Sequence, residues 1–258
     1  MKIAVCVKQV PEGTSMRLDA ATKRLDRSGE GALNHFDTNA VEEALRVKDA
    51  SGDAEVVVLT LGPAKAADAL RKTLAMGADR AVLVADAAAA GSDLVATSRL
   101  LAAALAREEA DLVLFGQQSS DSDGAVLWAA VADRLRRPLV SQAAELTISD
   151  GTVRVKRQTE FGYDVIEAPL PAVVAVSDAI NEPRYPSLKG IMGAKKKPQE
   201  TLALGDVGVD AGEVGEAGSK TEVYGLHEPP SRGESRKVED DGNAAQAIVD
   251  FLAEKRLI

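Results

Sequence analysis

The sequence predicts an α/β protein with a mostly parallel sheet and helices on both faces, extended by antiparallel strands and followed by a long C-terminal arm. Up to Leu135, short apolar runs rich in β-branched residues alternate with segments of helical periodicity. The apolar runs are continuous, as in strands that are covered on both faces. Beyond Pro138 apolar and polar residues alternate, which is typical of antiparallel strands.

Five apolar runs are the predicted parallel strands, joined by right-handed crossovers. They are "KIAVCV" (2–7), "AEVVVLTL" (54–61), "RAVLVAD" (80–86), "DLVLFG" (111–116) and "PAVVAVSD" (171–178). The segments "AELTISDG", "TVRVKRQTEF" and "YDVIEA" are predicted to add antiparallel strands to the same sheet, with turns at Asp150-Gly151 and Phe161-Gly162.

Helices are predicted between the strands and at the C-terminus. The first, in "TNAVEEALRVKDA", would be capped at Asp37, Thr38 or Asn39. The second, "AKAADALRKTLAM", opens after a Gly-Pro pair and closes at Gly77. A third begins at Ser92 or Asp93, and a fourth covers about 123–135. The first helix has Val41, Ala44, Leu45 and Lys48 at helical spacing, and the third should turn Leu94, Leu101 and Leu105 toward the sheet. The apolar residues of the terminal helix make it amphipathic; they are Ala244, Ala247, Ile248, Phe251 and Leu252.

Composition excludes several classes of protein. The chain of 258 residues has a formal charge of -9, which disfavours general binding to nucleic acid or anionic membranes. Cys6 is its one cysteine, so an internal disulfide and a cysteine-based zinc site are excluded, and a reducing compartment fits. His35 and His227 are far apart in sequence, which disfavours a histidine-rich metal site.

No targeting or membrane-spanning segment is predicted. The N-terminal run "IAVCV" is interrupted too soon by Lys8 to be a signal peptide. No apolar run approaches the roughly 20 residues that span a bilayer. We therefore expect no membrane insertion and a cytoplasmic location in a bacterium, or the mitochondrial matrix in a eukaryote.

The C-terminal third differs from the rest of the chain. Residues 181–236 are rich in Gly, Pro, Glu and Lys, and we expect an irregular arm without a core of its own. Within "NEPRYPSLKGIMGAKKK" (181–197), prolines and glycines should prevent a regular element. The predicted division is an α/β domain over 1–180, and an arm with a terminal helix over 181–258.

Three loops are candidates for a ligand site at the carboxyl ends of the strands. They follow "KIAVCV", contain "LNHFD", and follow "DLVLFG" as "GQQSSDSDG". Backbone amides before the fourth helix could hold a phosphate, and the short polar side chains could reach a ribose or a base. The alternative is an ordinary solvated loop. No GxGxxG or Walker sequence is present.

Single residues in these loops have simpler interpretations. Asp121 and Asp123 resemble a pair of acid-base carboxylates, but we expect capping and turn roles, because no nucleophile or metal ligand is nearby. Cys6 lies in a buried strand, where inert packing is expected over a nucleophile. Trp128 is expected in the core.

Six segments resemble the β-subunit of electron transfer flavoprotein in order and spacing, and the last two are the most specific. They are "VKQVPE", "AVEEALRVKD", "LGPAKAADALRKTLAMGADRAVLV", "DLVLFGQQSSDSDG", "VKRQTEFGYDVIEAPLPAVVAV" and "NEPRYPSLKGIMGAKKK". The resemblance implies an electron-carrier subunit without an active site. Its α-subunit partner would hold the redox-active FAD, and electrons would pass from acyl-CoA and related dehydrogenases to a quinone-linked oxidoreductase.

The resemblance also implies that residues 1–180 form an α/β domain of the adenine-nucleotide-binding type, with AMP in a structural role. The residues that match its nucleotide contacts are Cys6, Asn34, His35, Phe36, Asp37, Leu61, Gly116, Gln117, Gln118, Ser119, Ser120, Asp121, Ser122, Asp123, Gly124 and Ala125. The chain departs from the family at Ala125, Val126 and Leu127, where family members have polar side chains. Backbone amides would be left to hold the phosphate, and a second FAD of the bifurcating kind is disfavoured. Phe161 also departs from the family signature, without an expected functional consequence.

The segment 181–197 resembles the recognition loop of the family, whose leucine inserts into an apolar pocket of the dehydrogenase. Leu188 matches that leucine and is flanked by Ile191 and Met192. We expect Leu188 to be exposed and one of the other two to tuck onto its own domain. Lys195, Lys196 and Lys197 could steer the loop toward acidic partners, or form a solvated turn. Residues 200–258 resemble the segment that wraps the α-subunit. The alternative function is an independent adenine-nucleotide-binding enzyme or sensor on a similar fold.

Overall fold

The computed structural model describes residues 1–13, 16–227, 230, 237, 240 and 242–258. These residues form two compact units, Met1–Val223 and Tyr224–Ile258. The larger unit contains the sheet and six of the helices. The smaller one contains the predicted terminal helix. The remaining residues of the predicted arm, 228–229, 231–236, 238–239 and 241, lie outside the described residues.

The main sheet has nine strands in the order β11-β10-β9-β12-β8-β1-β6-β7-β13. In this order, each pair of neighbouring strands from β9 through β12, β8, β1, β6 and β7 to β13 is parallel. Strand β10 pairs antiparallel with both β9 and β11. This confirms the predicted sheet and its antiparallel extension. The strands are β1 Lys2–Cys6, β2 Gln9–Pro11, β3 Leu18–Asp19, β4 Arg24–Leu25, β5 Gly31–Leu33, β6 Glu55–Leu61, β7 Arg80–Val84, β8 Leu112–Gly116, β9 Leu139–Ser149, β10 Thr152–Thr159, β11 Gly162–Pro169, β12 Ala172–Val176 and β13 Gln199–Leu202. The short strands β2 with β5 and β3 with β4 form two small ribbons.

Helices cover both faces of the sheet, as predicted. They are α1 His35–Ser51, α2 Ala67–Met76, α3 Leu94–Glu108, α4 Leu127–Leu135, α5 Leu188–Ala194, α6 Gly215–Gly218 and α7 Ala244–Glu254. On one face, Val41 and Leu45 of α1 and Leu70 of α2 pack with alternate residues of the central strands. On the other face, Leu105 of α3 and Val131 of α4 pack with the intervening residues. Both faces of the central strands are therefore buried, which explains their continuous apolar runs.

Two predicted helix starts and one core position are wrong. Helix α1 begins before the predicted caps, with Asn34 as its N-cap, because the backbone N–H groups of Asp37 and Thr38 already donate to the Asn34 carbonyl. Helix α4 begins at Leu127, because Asp123 and Ala125 have left-handed backbone angles (φ 44° and 46°) that a helix cannot contain. Leu94, the first residue of α3, is 38% exposed and lies at the mouth of a cleft.

Residues 181–223 are more regular than predicted. The segment that should resist regular structure forms α5, because the Ser187 side chain caps the helix by accepting from the Gly190 N–H. Strand β13 then adds to the edge of the sheet beside β7, and Leu202 is buried there. The two compact units are divided between Val223 and Tyr224. The division of roles after Ile180 stays a prediction.

Within the described ranges, none of the helices combines the length and apolar character needed to cross a membrane.

Thr60 offers a test of packing in the sheet. Its side chain is 1% exposed, and its hydroxyl has no hydrogen-bond partner among the described residues. Thr60→Val should therefore raise the free energy of unfolding by about 1 kcal/mol, since it removes a buried unpaired polar group at nearly constant shape. Urea unfolding measures this. The matched control is Thr73→Val, whose buried hydroxyl donates to the Leu70 carbonyl at 2.7 Å and should show no gain. Equal gains in both variants would contradict the explanation.

Candidate functional site

A cleft of about 1060 Å³ lies at the carboxyl ends of the central strands, where ligands bind in open α/β sheets. Strand β1 leads to β6 on one side of the sheet, whereas β8 lies on its other side. The order of strands therefore reverses beside β1. Cys6 at the end of β1, Leu61 at the end of β6 and Gly116 at the end of β8 all line the cleft. The predicted location of the site agrees with this geometry.

The structure brings most of the predicted nucleotide residues to this cleft. Those that line it are Cys6, Asn34, Asp37, Leu61, Gly116, Gln117, Gln118, Ser119, Ser122, Gly124 and Ala125. The predicted residues that do not line it are His35, Phe36, Ser120, Asp121 and Asp123. Of the second group, Ser120 supports the walls, because its N–H donates to Asn34 Oδ1 at 3.2 Å.

Asp37 joins α1 to the strand ends beneath the cleft. It is buried, and its carboxylate accepts from the Lys8 backbone N–H at 2.7 Å. Burial raises the pKa of Asp37 to about 7, against the opposing effect of hydrogen bonds from Lys8, Asn34 and Gly116. A Cβ at Gly116 would lie 2.5 Å from Asp37 Oδ1 and 2.6 Å from the Phe36 carbonyl carbon. Only glycine therefore allows this close approach of β8 to α1.

Asn34 ties the loop after β8 to the start of α1. Its Nδ2 donates to the Gln118 carbonyl at 2.8 Å, while its Oδ1 accepts from Ser120. The side chain is fully buried. The donor and the acceptor of one side-chain amide thus both hold the loop 116–126 in place. The prediction that these two loops lie at the same end of the sheet is therefore correct.

Asp121 has a different role from the capping role predicted for it. It forms ion pairs with Lys8 and Arg27, and its side chain is fully buried. Lys8 Nζ lies 2.7 Å from Asp121 Oδ1 and also donates to the hydroxyls of Ser119 and Ser122. Burial opposes ionisation of Asp121, but these two cations outweigh it and lower its pKa. The loop is therefore held by a charge cluster whose carboxylate is buried and whose two cations are partly exposed.

Asp123 agrees with the predicted turn role. Its backbone is left-handed, its N–H donates to the Ser119 carbonyl at 2.8 Å, and its carboxylate accepts from the Gln118 side chain. The acid-base alternative required the two carboxylates to act together. In the structure one is neutralised by cations and the other closes a turn, so no acid-base pair is formed.

The start of α4 brings no polar side chain to the cleft. Its N-cap, Val126, makes no side-chain capping bond, and the residues at 124–127 all line the cleft. The first N–H groups of a helix have no intrahelical acceptor and attract anions. Trp128 is only half-buried: it lines the cleft, and its Nε1–H donates to the Gln117 carbonyl at 2.9 Å. The prediction of a core position was therefore incomplete.

Cys6 forms part of the floor of the cleft. Burial, assisted by the nearby Asp37, raises the pKa of its thiol well above the ordinary range. The thiolate is the nucleophilic form, so this environment fits the predicted inert packing role.

Several cleft residues escaped the sequence analysis. Lys8 and Arg27 come from the segment after β1, and residues 91–93 come from the loop after β7. Lys8 directly follows a strand end, which is a signal that could have identified it. The position of Arg27 depends on the small ribbons and has no local signal. Asp93 caps α3 through the Ala96 N–H and also accepts from the Lys220 N–H at 2.7 Å, so the segment after β13 closes this wall.

The predicted docking residues lie on and after α5. Leu188 is 75% exposed, which confirms that prediction. Ile191 and Met192 are 54% and 69% exposed, so the expectation that one of them tucks onto the domain is wrong. The short helix turns both outward and buries Ala194 instead. Tyr185, 94% exposed, extends the apolar surface and was not predicted.

The three lysines after α5 are not equivalent. Lys195 and Lys196 are exposed, as a steering role or a solvated turn requires. Lys197 is half-buried, and its ammonium donates to the carbonyls of Leu74 and Ala78. The predicted steering role is therefore wrong for Lys197, because its charge is engaged within the chain.

Comparison with known proteins gives consistent results. The sequence matches the family model described as the electron transfer flavoprotein domain over residues 22–207. Over the whole length of both chains, it is 38% identical to the caffeyl-CoA reductase-Etf complex subunit CarD of Acetobacterium woodii. It is also 38% identical to the electron transfer flavoprotein subunit beta of Megasphaera elsdenii, over 99% of this chain and 97% of the relative. The corresponding subunit of Mycobacterium bovis is 39% identical over 99% of each chain.

Proposed function

Because this chain belongs to the electron transfer flavoprotein family, we propose that it is the β-subunit of a heterodimeric electron carrier and has no active site of its own. Its α-subunit would hold the redox-active FAD. Electrons would enter from acyl-CoA and related dehydrogenases and leave toward a quinone-linked oxidoreductase. The observation that carries this proposal is an exposed apolar cluster, Leu188, Ile191 and Met192, on a segment that also resembles the recognition loop of the family.

We propose that the cleft binds AMP in a structural role. The donor set supports this fit: the start of α4 offers backbone N–H groups without a competing side-chain cap, and Lys8 and Arg27 bring positive charge nearby. Asn34 and Asp37 would support the loop that surrounds the nucleotide. AMP supplies no redox chemistry, so this part of the chain would bind and stabilise rather than react. The apolar residues 125–127 favour AMP over a second FAD, since no side chain there can add a phosphate contact.

The surface around α5 would dock the dehydrogenases. Burying one leucine contributes roughly 1.5 to 3 kcal/mol, which suits a weak contact that must dissociate after each electron transfer. Lys195 and Lys196 would speed encounters with an acidic partner surface. Their contribution should decrease with ionic strength.

The C-terminal unit would contact the α-subunit. Helix α7 has apolar residues at helical spacing, yet none of its described side chains is buried; Ile248 and Phe251 are 59% and 47% exposed. Such a helix gains stability by packing against another protein. We place the complex in the bacterial cytoplasm, or in the mitochondrial matrix for a eukaryotic source, which the single buried thiol fits.

Analysis of the nucleotides in the heterodimer tests the proposal. The chain is co-expressed with its α-subunit, the purified complex is denatured, and the released nucleotides are identified by mass and counted. We expect one FAD and one AMP per heterodimer, with the FAD reducible by an acyl-CoA dehydrogenase and its substrate. Two flavins would contradict the AMP assignment. Turnover of an adenine nucleotide by this chain alone would favour the alternative of an independent enzyme.

A further inference from the structure

We propose that Gly190 and Lys197 are positioning residues, which hold α5 against the C-terminal end of α2 and so present Leu188 to the dehydrogenase in one orientation. This inference rests on the docking role proposed above for Leu188. It concerns side chains that would not themselves touch the partner.

Gly190 allows the backbones of α5 and α2 to meet. A Cβ at this position would lie 2.3 Å from the carbonyl oxygen of Ala75, in the last turn of α2. That atom belongs to the backbone, so the contact cannot be relieved by a side-chain rotation. Gly193, three residues later in the same helix, would meet nothing within 4 Å. Only the first of these glycines is therefore required by packing.

Lys197 holds the chain that follows α5 against the end of α2. Its ammonium donates to the Leu74 carbonyl at 2.9 Å and to the Ala78 carbonyl at 2.5 Å, beside the end of α2. The last carbonyls of a helix have no intrahelical donor and carry partial negative charge, so a cation there is favourable. Partial burial lowers the pKa of Lys197, as expected for an ammonium that has lost part of its hydration. Strand β13 begins two residues later and holds the chain on the sheet.

These contacts explain how a short helix can present an apolar side chain. A helix of seven residues is unstable by itself in water, and Leu188 is 75% exposed, so its own burial adds little to the stability of α5. Before α5, Arg184 forms a bidentate ion pair with the buried carboxylate of Glu42, at 2.8 and 3.0 Å. With both ends tied, little conformational freedom is left to lose on docking, which strengthens binding without any added contact.

The test compares matched variants in the complete heterodimer with its α-subunit. Gly190→Ala is paired with Gly193→Ala, and Lys197→Met with Lys195→Met, which removes the same charge from an exposed position. Each is also made in a Leu188→Ala background. The assay is reduction of the carrier by butyryl-CoA dehydrogenase with butyryl-CoA, with dichlorophenolindophenol as terminal acceptor. KM for the carrier and kcat are measured at low and high salt, and flavin content and thermal unfolding report on folding.

We expect Gly190→Ala and Lys197→Met each to raise KM at least about fivefold, with kcat and flavin content little changed. Gly193→Ala should have no such effect, and any effect of Lys195→Met should vanish at high salt. In the Leu188→Ala background the two positioning variants should add less than about twofold, because they act through that side chain. If Leu188→Ala raises KM but the positioning variants do not, or if their effects add fully to it, this inference is overturned and the docking proposal stands. If Leu188→Ala has no effect, both are overturned.

Discussion

Leu188→Ala should lower kcat/KM for reduction of the heterodimer by an acyl-CoA dehydrogenase by between about tenfold and a hundredfold. The reason is that the side chain is 75% exposed in the free chain and so stabilises the docked complex far more than the fold. Most of the loss should appear as a higher KM. Flavin content and the unfolding temperature should change little, since most of this side chain is already exposed to water.

Two further variants separate docking from nonspecific effects. Leu188→Met keeps an apolar side chain of similar volume and should retain most of the activity. Phe161→Ala removes an apolar side chain that is 98% exposed on the β10–β11 turn, away from α5, and should leave the KM for the dehydrogenase unchanged. Normal electron transfer by Leu188→Ala would show that the docking proposal is wrong.

Gly116→Ala should destabilise the chain by about 2 to 3 kcal/mol and release the nucleotide. The added methyl group would overlap both the Asp37 carboxylate and the Phe36 backbone, at 2.5 and 2.6 Å. To relieve the overlap, the end of β8 must move away from α1. That movement also displaces the loop 116–126, which lines the cleft.

Gly124→Ala is the matched control for this prediction. It lies in the same loop, but an added Cβ would meet nothing within 4 Å. Urea unfolding of the two variants, together with mass analysis of the bound nucleotide, measures both effects. Equal unfolding midpoints for Gly116→Ala and Gly124→Ala would contradict the proposed close approach of β8 to α1.

The sequence allowed us to predict which loops form the candidate site, but not which side chains contact one another there. The order of strands places the loops after β1 and β8 together, and their polar composition marked them as candidates. The cluster of Lys8, Arg27 and Asp121 was missed, because Lys8 and Asp121 are 113 residues apart and neither has a local signal for the other. The role of Asp121 was accordingly misread as a cap.

The docking segment shows the same limit. Its apolar residues and its resemblance to a recognition loop were visible in the sequence, and the exposure of Leu188 followed correctly. The three consecutive lysines, by contrast, are chemically identical in sequence. Lys197 differs from Lys195 only because the end of α2 lies within its reach.

Patterns in the sequence were enough to predict the layered α/β architecture, the antiparallel extension and the carboxyl ends of the strands as the place of the cleft. These depend on local periodicity: a continuous run such as "EVVVLTL" is stable only when both of its faces are covered. Three features could be seen only in the folded chain: residues 199–202 add a strand, two cations pair with Asp121, and Gly190 and Lys197 join α5 to α2. Each of these needs two segments distant in sequence to approach within a few ångströms, and hydrophobic periodicity carries no information about such pairs.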